Sequence, residues 1–294
     1  MRYILNLFRL NLLRWKTSLR IIMLLLIIPV IQLKYVFPYL KNVSNLQMPM
    51  HVFEPYIASF SSMHSSLLIS IIVVFILADV PIRHQGFELS LIRGSKQKWL
   101  FSQWLYIIFC AFLICSIIAL FNIVISLPFS YIQNEWSIPA HLLAMNKTAT
   151  GYSAVSSSVP QFILYNDLPI KAFIYTFLLQ MLLFIFFGTL TVLINLNSNY
   201  LIAPIILLML NAVNWLIRMF VPGDRAFNII SWFSPLYHGT YSEHQFQAVL
   251  NGSMASAQSS ALILIVLSLL FITISHLLIR KNDVLNFTRG DFDD

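Results

Sequence analysis

The stretch that decides the fold is Ile170–Ile194, which reads IKAFIYTFLLQMLLFIFFGTLTVLI. Its one charged residue is Lys171, at the start, and most of the remainder is apolar. A bilayer core about 30 Å thick is crossed by roughly 20 helical residues. This stretch therefore predicts a transmembrane helix.

Five more stretches of the same kind lie along the chain. They are Leu19–Val36, Ile57–Ala78, Leu100–Leu127, Leu201–Val221 and Ala261–Ile279. With 59% hydrophobic and only 10% charged residues, a soluble domain of 294 residues could not bury this much apolar surface. The sequence predicts an all-α, polytopic membrane protein with six transmembrane helices, in which residues 1–294 form a single domain.

Basic residues predict the orientation of these helices, because Lys and Arg accumulate on the cytoplasmic side of a membrane. Most of the 18 basic residues fall on the side that carries both termini. They are Arg2, Arg9, Arg14, Lys16, Arg20, Arg83, Arg93, Lys96, Lys98, Arg280, Lys281 and Arg289. Both termini are expected in the cytoplasm, with the chain in the plasma membrane. Anionic lipid headgroups account for the net charge of +7, so no nucleic-acid partner is expected.

Residues 1–18 predict an amphipathic helix that lies in the inner interface and leads into the first span. Its polar side collects Arg2, Asn6, Arg9, Lys16 and Arg20. Its apolar side collects Leu5, Phe8, Leu12 and Trp15, although Asn11 and Arg14 interrupt the pattern. An extended, positively charged anchor is the alternative interpretation.

The inner loop, residues 79–99, reads DVPIRHQGFELSLIRGSKQKW. Ser95 is a candidate N-cap for a helix that continues into the third span. Residues 87–93 can form one or two helical turns on the inner face, with charges that could meet a partner protein. The alternative is a positively charged stop signal without a partner. Residues 280–294 form a tail on the same side.

Two long segments are predicted on the outer side, at residues 128–168 and 222–260. The first is rich in serine and poor in charge. The second contains Trp232, Phe233, Leu236 and Tyr237 and is too apolar for a solvated loop. It predicts short interfacial or re-entrant helices between the fifth and sixth spans.

Motifs for enzyme chemistry are absent from the sequence. It contains no GxxxxGK[ST] phosphate loop, no GxGxxG, no HExxH and no GxSxG. The spacing of Cys110 and Cys115 suits neither zinc nor an iron–sulfur cluster, and both are expected to be small apolar residues that pack within the third span. His238, Glu243 and His244 could approach one another, but nothing in the sequence fixes a metal geometry. No catalytic, metal or cofactor site is therefore predicted in this chain.

Polar residues inside predicted spans are costly and often line a transport pathway. Ser59, Ser62 and Ser66 recur on one face of the second span. Asn211, Asn214 and Arg218 recur on one face of the fifth span. These six residues are the candidate lining of a polar route. Structural contacts between helices are the alternative.

These features together resemble the ABC-2 family, the membrane-spanning permeases of type 2 ABC exporters. The strongest local similarity is FELSLIRGSKQKWLFSQWLY at Phe87–Tyr106, an RGS followed by basic residues and Trp-Leu at the entry to the third span. The ending HLLIRKNDVL at His276–Leu285 is also similar to the family's exit from its last span. The arrangement of spans and loops extends the resemblance over the whole chain.

The resemblance implies a permease without its own ATPase, in which ATP and magnesium bind a separate subunit. Two permeases, identical or homologous, would pair with two such subunits. Phe87, Glu88, Arg93 and Gly94 would then contact the ATPase, and spans two and five of the two permeases would face each other across the route. The substrate would be hydrophobic or amphipathic, and a peptide is one expectation.

Two other functions are consistent with the residues alone. One is a membrane immunity protein that binds a membrane-active peptide without pumping it. The other is an intramembrane enzyme that pairs His64 with one of the nearby serines.

Overall fold

The computed structural model describes residues 2–61, 63–82, 95–149, 158–198, 200–220, 232–245 and 255–281. This part of the chain is mostly helical. Its helices are α1 (Arg2–Thr17), α2 (Leu19–Leu46), α3 (Glu54–Ser59), α4 (Met63–Leu77), α5 (Lys96–Ser126), α6 (Ile138–Ala149), α7 (Gln161–Asn166), α8 (Pro169–Asn195), α9 (Ile202–Phe220), α10 (Pro235–Gly239) and α11 (Ala257–Lys281). Short 3₁₀ helices cover Leu127–Phe129 and Tyr241–Gln245.

Four of these helices, α2, α5, α8 and α11, are long and apolar enough to cross a membrane. They correspond to the first, third, fourth and sixth predicted spans, so the chain is a membrane-embedded helical protein. Of the helices in the other two predicted spans, α4 has 15 residues, about 22 Å at 1.5 Å per residue, and α9 has 19 residues, about 28 Å.

The prediction of one continuous helix over Ile57–Ala78 is wrong, because the chain turns between α3 and α4. The hydroxyls of Ser59 and Ser61 donate to the carbonyls of Tyr56 and Ala58, at 2.8 and 2.6 Å. Such short-range bonds compete with helix continuation. Ser242, distant in sequence, donates to the carbonyl of Ser61 at 3.2 Å and holds the turn.

The first predicted span also differs from the structure, because α2 continues ten residues beyond Val36 to Leu46. Pro38 lies inside the helix, and the buried side chains of Tyr39 and Val43 pack this extension against the protein. The extension carries the chain to a two-residue parallel strand pair that the all-α prediction did not include. Strands β1 (Met50–His51) and β2 (Ser130–Tyr131) pair Met50 with Ser130.

Helix α8 lies at the centre of the bundle, against α5, α9 and α11. Helices α8 and α5 come close together at Gly188, where an added Cβ would lie 2.4 Å from Cγ2 of Ile107. Only glycine allows the two helices to come this close. Two ends of the bundle are distinguished below. The near end holds Arg20, Asp79 and Ser95, and the far end holds Glu54 and Ser137.

Helix α1 packs along α5. The Trp15 indole donates to the Tyr106 hydroxyl at 2.7 Å, and the rings of Phe8 and Phe109 meet edge to face at 5.6 Å. Asn6 and Arg9 are exposed, as the amphipathic pattern predicts, but Leu5 is exposed too and Asn11 is buried. The face toward the protein is therefore rotated slightly from the predicted apolar side.

Candidate functional site

Five of the ten residues predicted for function lie outside the described residues. They are Ser62, Phe87, Glu88, Arg93 and Gly94. Asn214 and Arg218 belong to α9, but their side chains also fall outside the described part. Ser59, Ser66 and Asn211 are described, and all three are buried. Two groups of contacts involve the described parts of the candidate site: the anchorage of the inner loop, and the polar contacts between α4, α8 and α9.

The anchorage begins at Asp79, just after α4. Its two carboxylate oxygens accept from Nη1 and Nη2 of Arg20 on α2, at 3.1 and 2.5 Å. A bidentate ion pair fixes orientation as well as distance. The end of α4 is thereby tied to the start of α2.

The backbone that follows is held by side chains from three directions. We call residues 79–82 the loop stem, because they are the first residues of the inner loop. Nδ2 of Asn195 on α8 donates to the carbonyls of Ala78 and Val80, at 2.9 and 2.7 Å. Oε1 of Gln103 on α5 accepts from the Ile82 amide at 3.1 Å, and the Tyr200 hydroxyl donates to the Pro81 carbonyl at 3.3 Å.

The other end of the loop enters α5 at Ser95. The Ser95 hydroxyl accepts from the Lys98 amide at 3.3 Å, and α5 begins at Lys96. The prediction that Ser95 caps a helix leading into the third span is confirmed. Movement of the inner loop would therefore act directly on α5.

Polar residues of α4 and α9 meet within one chain, through Ser70, which was not among the predicted residues, and Asn211, which was. Ser70 of α4 lies 3.4 Å from Oδ1 of Asn211, which in turn donates from Nδ2 to its own helix at Leu207. Nε2 of Gln180 on α8 donates to the Ser66 hydroxyl at 3.1 Å. We call Ser66, Ser70, Gln180 and Asn211 the polar seam. All four are 0–1% exposed.

Ser59 does not belong to the polar seam. It ends α3, on the other side of the turn from Ser66, and its hydroxyl donates to the Tyr56 carbonyl. The common face predicted for Ser59 and Ser66 required a single helix through both residues. The turn before α4 removes that relationship.

A buried acid lies at the far end, and sequence reasoning did not identify it. Oε1 of Glu54 accepts from the Ser137 amide at 2.9 Å, and Oε2 accepts from the hydroxyls of Ser137 and Tyr39, at 2.8 and 2.9 Å. Burial raises the pKa of Glu54, while these hydrogen bonds act in the opposite direction. Since Ser137 also caps α6, Glu54 joins α6 to α2.

The histidines considered for a metal occupy other roles. The two ring nitrogens of His238 lie 2.8 Å from the Ser260 hydroxyl and 2.9 Å from the Trp232 carbonyl. Nδ1 of His244 is 3.0 Å from the Ala255 carbonyl. Among the residues that the structure describes, no three His, Cys, Asp or Glu side chains gather into a metal site.

His64, considered for an intramembrane enzyme, is exposed and packs edge to face against Trp215, with ring centroids 5.6 Å apart. Between described residues, the hydrogen-bonded serine–histidine pair is Ser260 with His238. Since the Trp232 carbonyl can only accept, Nε2 of His238 carries the proton and Nδ1 accepts from the Ser260 hydroxyl.

Comparison with known proteins gives no assignment: no family model, no curated protein and no solved structure matches this chain. Function must therefore be inferred from the geometry of the loop stem and the polar seam.

Sequence reasoning missed Gln180, Asn195 and Gln103. Each is a carboxamide in or at the edge of an apolar stretch, where an unpaired amide is costly. The carboxamides themselves could be recognised in the sequence, but their partners could not, because the partners depend on which helices are neighbours. The partners are Ser66, the carbonyls of Ala78 and Val80, and the Ile82 amide.

Proposed function

We propose that this chain is the membrane-spanning permease of an ATP-driven exporter of the ABC-2 type. It moves a hydrophobic or amphipathic substrate, with a peptide as one candidate, and a separate subunit hydrolyses ATP. The observation that carries the proposal is the anchorage of the loop stem to α2, α5 and α8. A loop held in this way transmits a push from a cytosolic partner into several spanning helices at once.

The sequence similarity lies at the same place. The segment Phe87–Tyr106 carries the resemblance, and its second half is the first part of α5, which starts at the Ser95 cap. Phe87, Glu88, Arg93 and Gly94 are proposed to contact the ATPase. Two permeases, identical or homologous, would assemble with two ATPase subunits.

The proposed topology has six crossings of the plasma membrane, with both termini in the cytoplasm. Its support is that α4 and α9 pack against each other and against α8. The segment between the fifth and sixth crossings is proposed to re-enter the membrane. Gly239 supports this, because a Cβ there would lie 2.5 Å from Cδ2 of Leu183, midway along α8.

The substrate route is proposed to run beside the faces of α4 and α9 that carry Ser66 and Asn211. Ser59, Ser62, Asn214 and Arg218 remain candidate lining residues. In the conformation described, Ser66 and Asn211 are closed off by contacts within the chain. Opening would then require the polar seam to part, which gives the route two states with different affinities for substrate.

The decisive experiment is purification of the tagged full-length chain from its native membranes. A co-purifying protein with a phosphate loop is expected. Charge reversal by Glu88→Arg or Arg93→Glu should abolish its recovery, while the control Lys98→Gln, at an exposed position on α5, should not. Full retention of the partner by both variants, or no ATP-binding partner at all, would contradict the proposal.

Orientation can be tested in the same cells with a membrane-impermeant thiol reagent. Both native cysteines are buried, so background labelling should be low. Gly94→Cys should stay unlabelled in intact cells and react after permeabilisation, whereas Gln133→Cys should react in intact cells. Labelling of Gly94→Cys from outside would overturn the coupling role of the loop.

A further inference from the structure

An open groove lies at the far end, between the C-terminal turns of α2 and the 3₁₀ turn that follows α5. Its volume is about 450 Å³, within the range of sites for small ligands. Apolar side chains form most of its surface: Leu40, Val43, Met48, Met50, Pro128 and Phe129. Val43 and Met50 form a buried floor, while Met48 and Phe129 stand exposed at the rim.

The groove continues the lipid-facing surface of α2. Leu26, Val30, Leu33 and Phe37 are exposed and follow one another at helical spacing. The next residue in this stripe is Leu40, which lines the groove. In a membrane-embedded helix such a stripe lies against acyl chains. At the groove, this lipid-facing surface becomes concave.

The level of the groove and the nearby charge indicate the kind of lipid. Twenty residues of α2 separate Arg20 from Leu40, about 30 Å, which is the thickness of the hydrocarbon core. Lys41 is exposed at this level, and Lys34 is exposed on the same face of α2 two turns earlier. Ser44 and Gln47 add polar groups to the groove. Anionic headgroups are attracted to lysine side chains at a membrane surface.

We propose that this groove binds one acyl chain of an anionic phospholipid from the outer side, with the headgroup phosphate beside Lys41. The site is separate from the loop stem and the polar seam, and it does not require an ATPase partner. The far end of the protein would then hold one specific lipid, in addition to its general contact with the bilayer.

The test uses the full chain in vesicles of phosphatidylethanolamine and phosphatidylglycerol. The probe is phosphatidylglycerol that carries a photoreactive diazirine in one acyl chain, and labelled peptides are identified by mass spectrometry. Residues 40–50 and 128–130 should be labelled more heavily than the exposed apolar residues of α11. Met48→Trp, which fills the groove from its rim, should reduce that labelling about tenfold.

Leu127→Trp is the matched control for this variant. Leu127 is exposed and apolar at the same level as Phe129, but it does not line the groove. It should leave labelling unchanged. Because both substitutions are at exposed positions, neither is expected to prevent folding, and equal recovery of the two variants verifies this.

The headgroup is tested with Lys41→Gln. This variant should lose the preference for phosphatidylglycerol over phosphatidylcholine, while Lys98→Gln, at the other end of the bundle, should keep it. Native mass spectrometry should show one retained phospholipid per chain, which Met48→Trp removes.

Three results would overturn the proposal. Labelling that Met48→Trp leaves unchanged would show that the groove is not the site. Retention of a free fatty acid in place of a phospholipid would show a different ligand. A dimer whose contact includes Met48, with no retained lipid, would show that a second copy occupies the groove.

Discussion

The guanidinium of Arg20 forms a bidentate ion pair with the carboxylate of Asp79, 59 residues away in sequence. Nη1 donates to Oδ1 at 3.1 Å and Nη2 donates to Oδ2 at 2.5 Å. The pair closes the near end of the bundle between the start of α2 and the loop stem. Both side chains are partly exposed, at 43% and 28%. The pair therefore serves mainly to orient the loop stem, since exposed ion pairs contribute only about 0–1 kcal/mol to the free energy of unfolding.

Charge exchange tests whether this contact positions the stem. Arg20→Asp and Asp79→Arg should each lower thermal stability in detergent by no more than about 1 kcal/mol. Both should reduce recovery of the proposed ATPase partner, because the ion pair no longer orients the loop. The double exchange should restore recovery. A double variant no better than either single variant would show that the pair does not orient the loop.

Asn195→Leu should have a larger effect on stability than loss of the ion pair. The Asn195 amide donates to two carbonyls of the stem region, Ala78 and Val80, and is fully buried. Leaving such carbonyls without donors costs about 1–3 kcal/mol. The measurement is the midpoint of thermal unfolding in detergent, and exposed Asn197→Ala is the control. Equal midpoints for the two variants would contradict the anchorage.

The spanning helices could be predicted from the sequence because the bilayer imposes length and apolarity on each helix separately. The predicted Ile170–Ile194 differs from α8, Pro169–Asn195, by one residue at each end. The role of Ser95 was also predictable from local sequence, because an N-cap residue bonds only to the first turn of its own helix. Where the structure depends on distant residues the prediction failed. The turn after Ser59 is held by Ser242, and nothing near Ser59 in sequence indicates that partner.

The candidate site follows the same division. Ser66 and Asn211 were predictable as polar residues in apolar stretches, but Gln180 joins them only because α8 lies beside α4. Glu54 is a further case. Its partners, Tyr39 and Ser137, lie 15 and 83 residues away in sequence. The residues most prominent in the resemblance, Phe87 to Gly94, lie outside the described residues, so their contact with an ATPase stays a prediction.

The polar seam can be measured with a double-mutant cycle between Ser66→Ala and Gln180→Leu. Hydrogen bonds between membrane helices average about 0.6 kcal/mol and reach about 1.7. We expect a coupling free energy in the upper half of this range, because both residues are fully buried. Thr273→Val is the control for a hydroxyl that bonds within its own helix, at Leu269. Additivity of Ser66→Ala and Gln180→Leu would show that α4 and α8 are not joined there.

Glu54 should make stability depend on pH. Burial raises its pKa above the value of about 4.3 for an unfolded chain, so between the two pKa values the folded protein holds more of the proton. Stability is then highest below about pH 4.3 and falls as pH rises through the folded-state pKa. Glu54→Gln removes the titrating group, and its Nε2 can donate to the Ser137 and Tyr39 hydroxyls from which Glu54 Oε2 accepts. This variant should flatten the slope, whereas exposed Glu135→Gln should not. Unfolding midpoints measured across that range decide it, and an unchanged slope in Glu54→Gln would contradict the assignment.

The contact of Gly188 with Ile107 joins α8 to α5, the helices at the two ends of the loop's anchorage. Helix α5 begins at Lys96, directly after its cap Ser95, and α8 ends at Asn195, which donates to the loop stem. A Cβ at position 188 would meet Cγ2 and Cγ1 of Ile107 at 2.4 and 3.1 Å, so Gly188→Ala must separate the helices or force the isoleucine aside. Overpacking of this kind costs about 1–3 kcal/mol. Ile107→Ala alone leaves a cavity and costs about 2–5 kcal/mol.

Combined, the two substitutions exchange volume across the contact, so Gly188→Ala/Ile107→Ala should be more stable than the sum of the single losses predicts. The midpoints of thermal unfolding of the four proteins in detergent give this difference. If close packing here transmits movement of the loop to the proposed ATPase partner, Gly188→Ala should also lower the partner's stimulation by this chain while leaving co-purification intact. The double variant should recover part of that stimulation. Strict additivity of the two stability losses would mean that Gly188 and Ile107 do not touch.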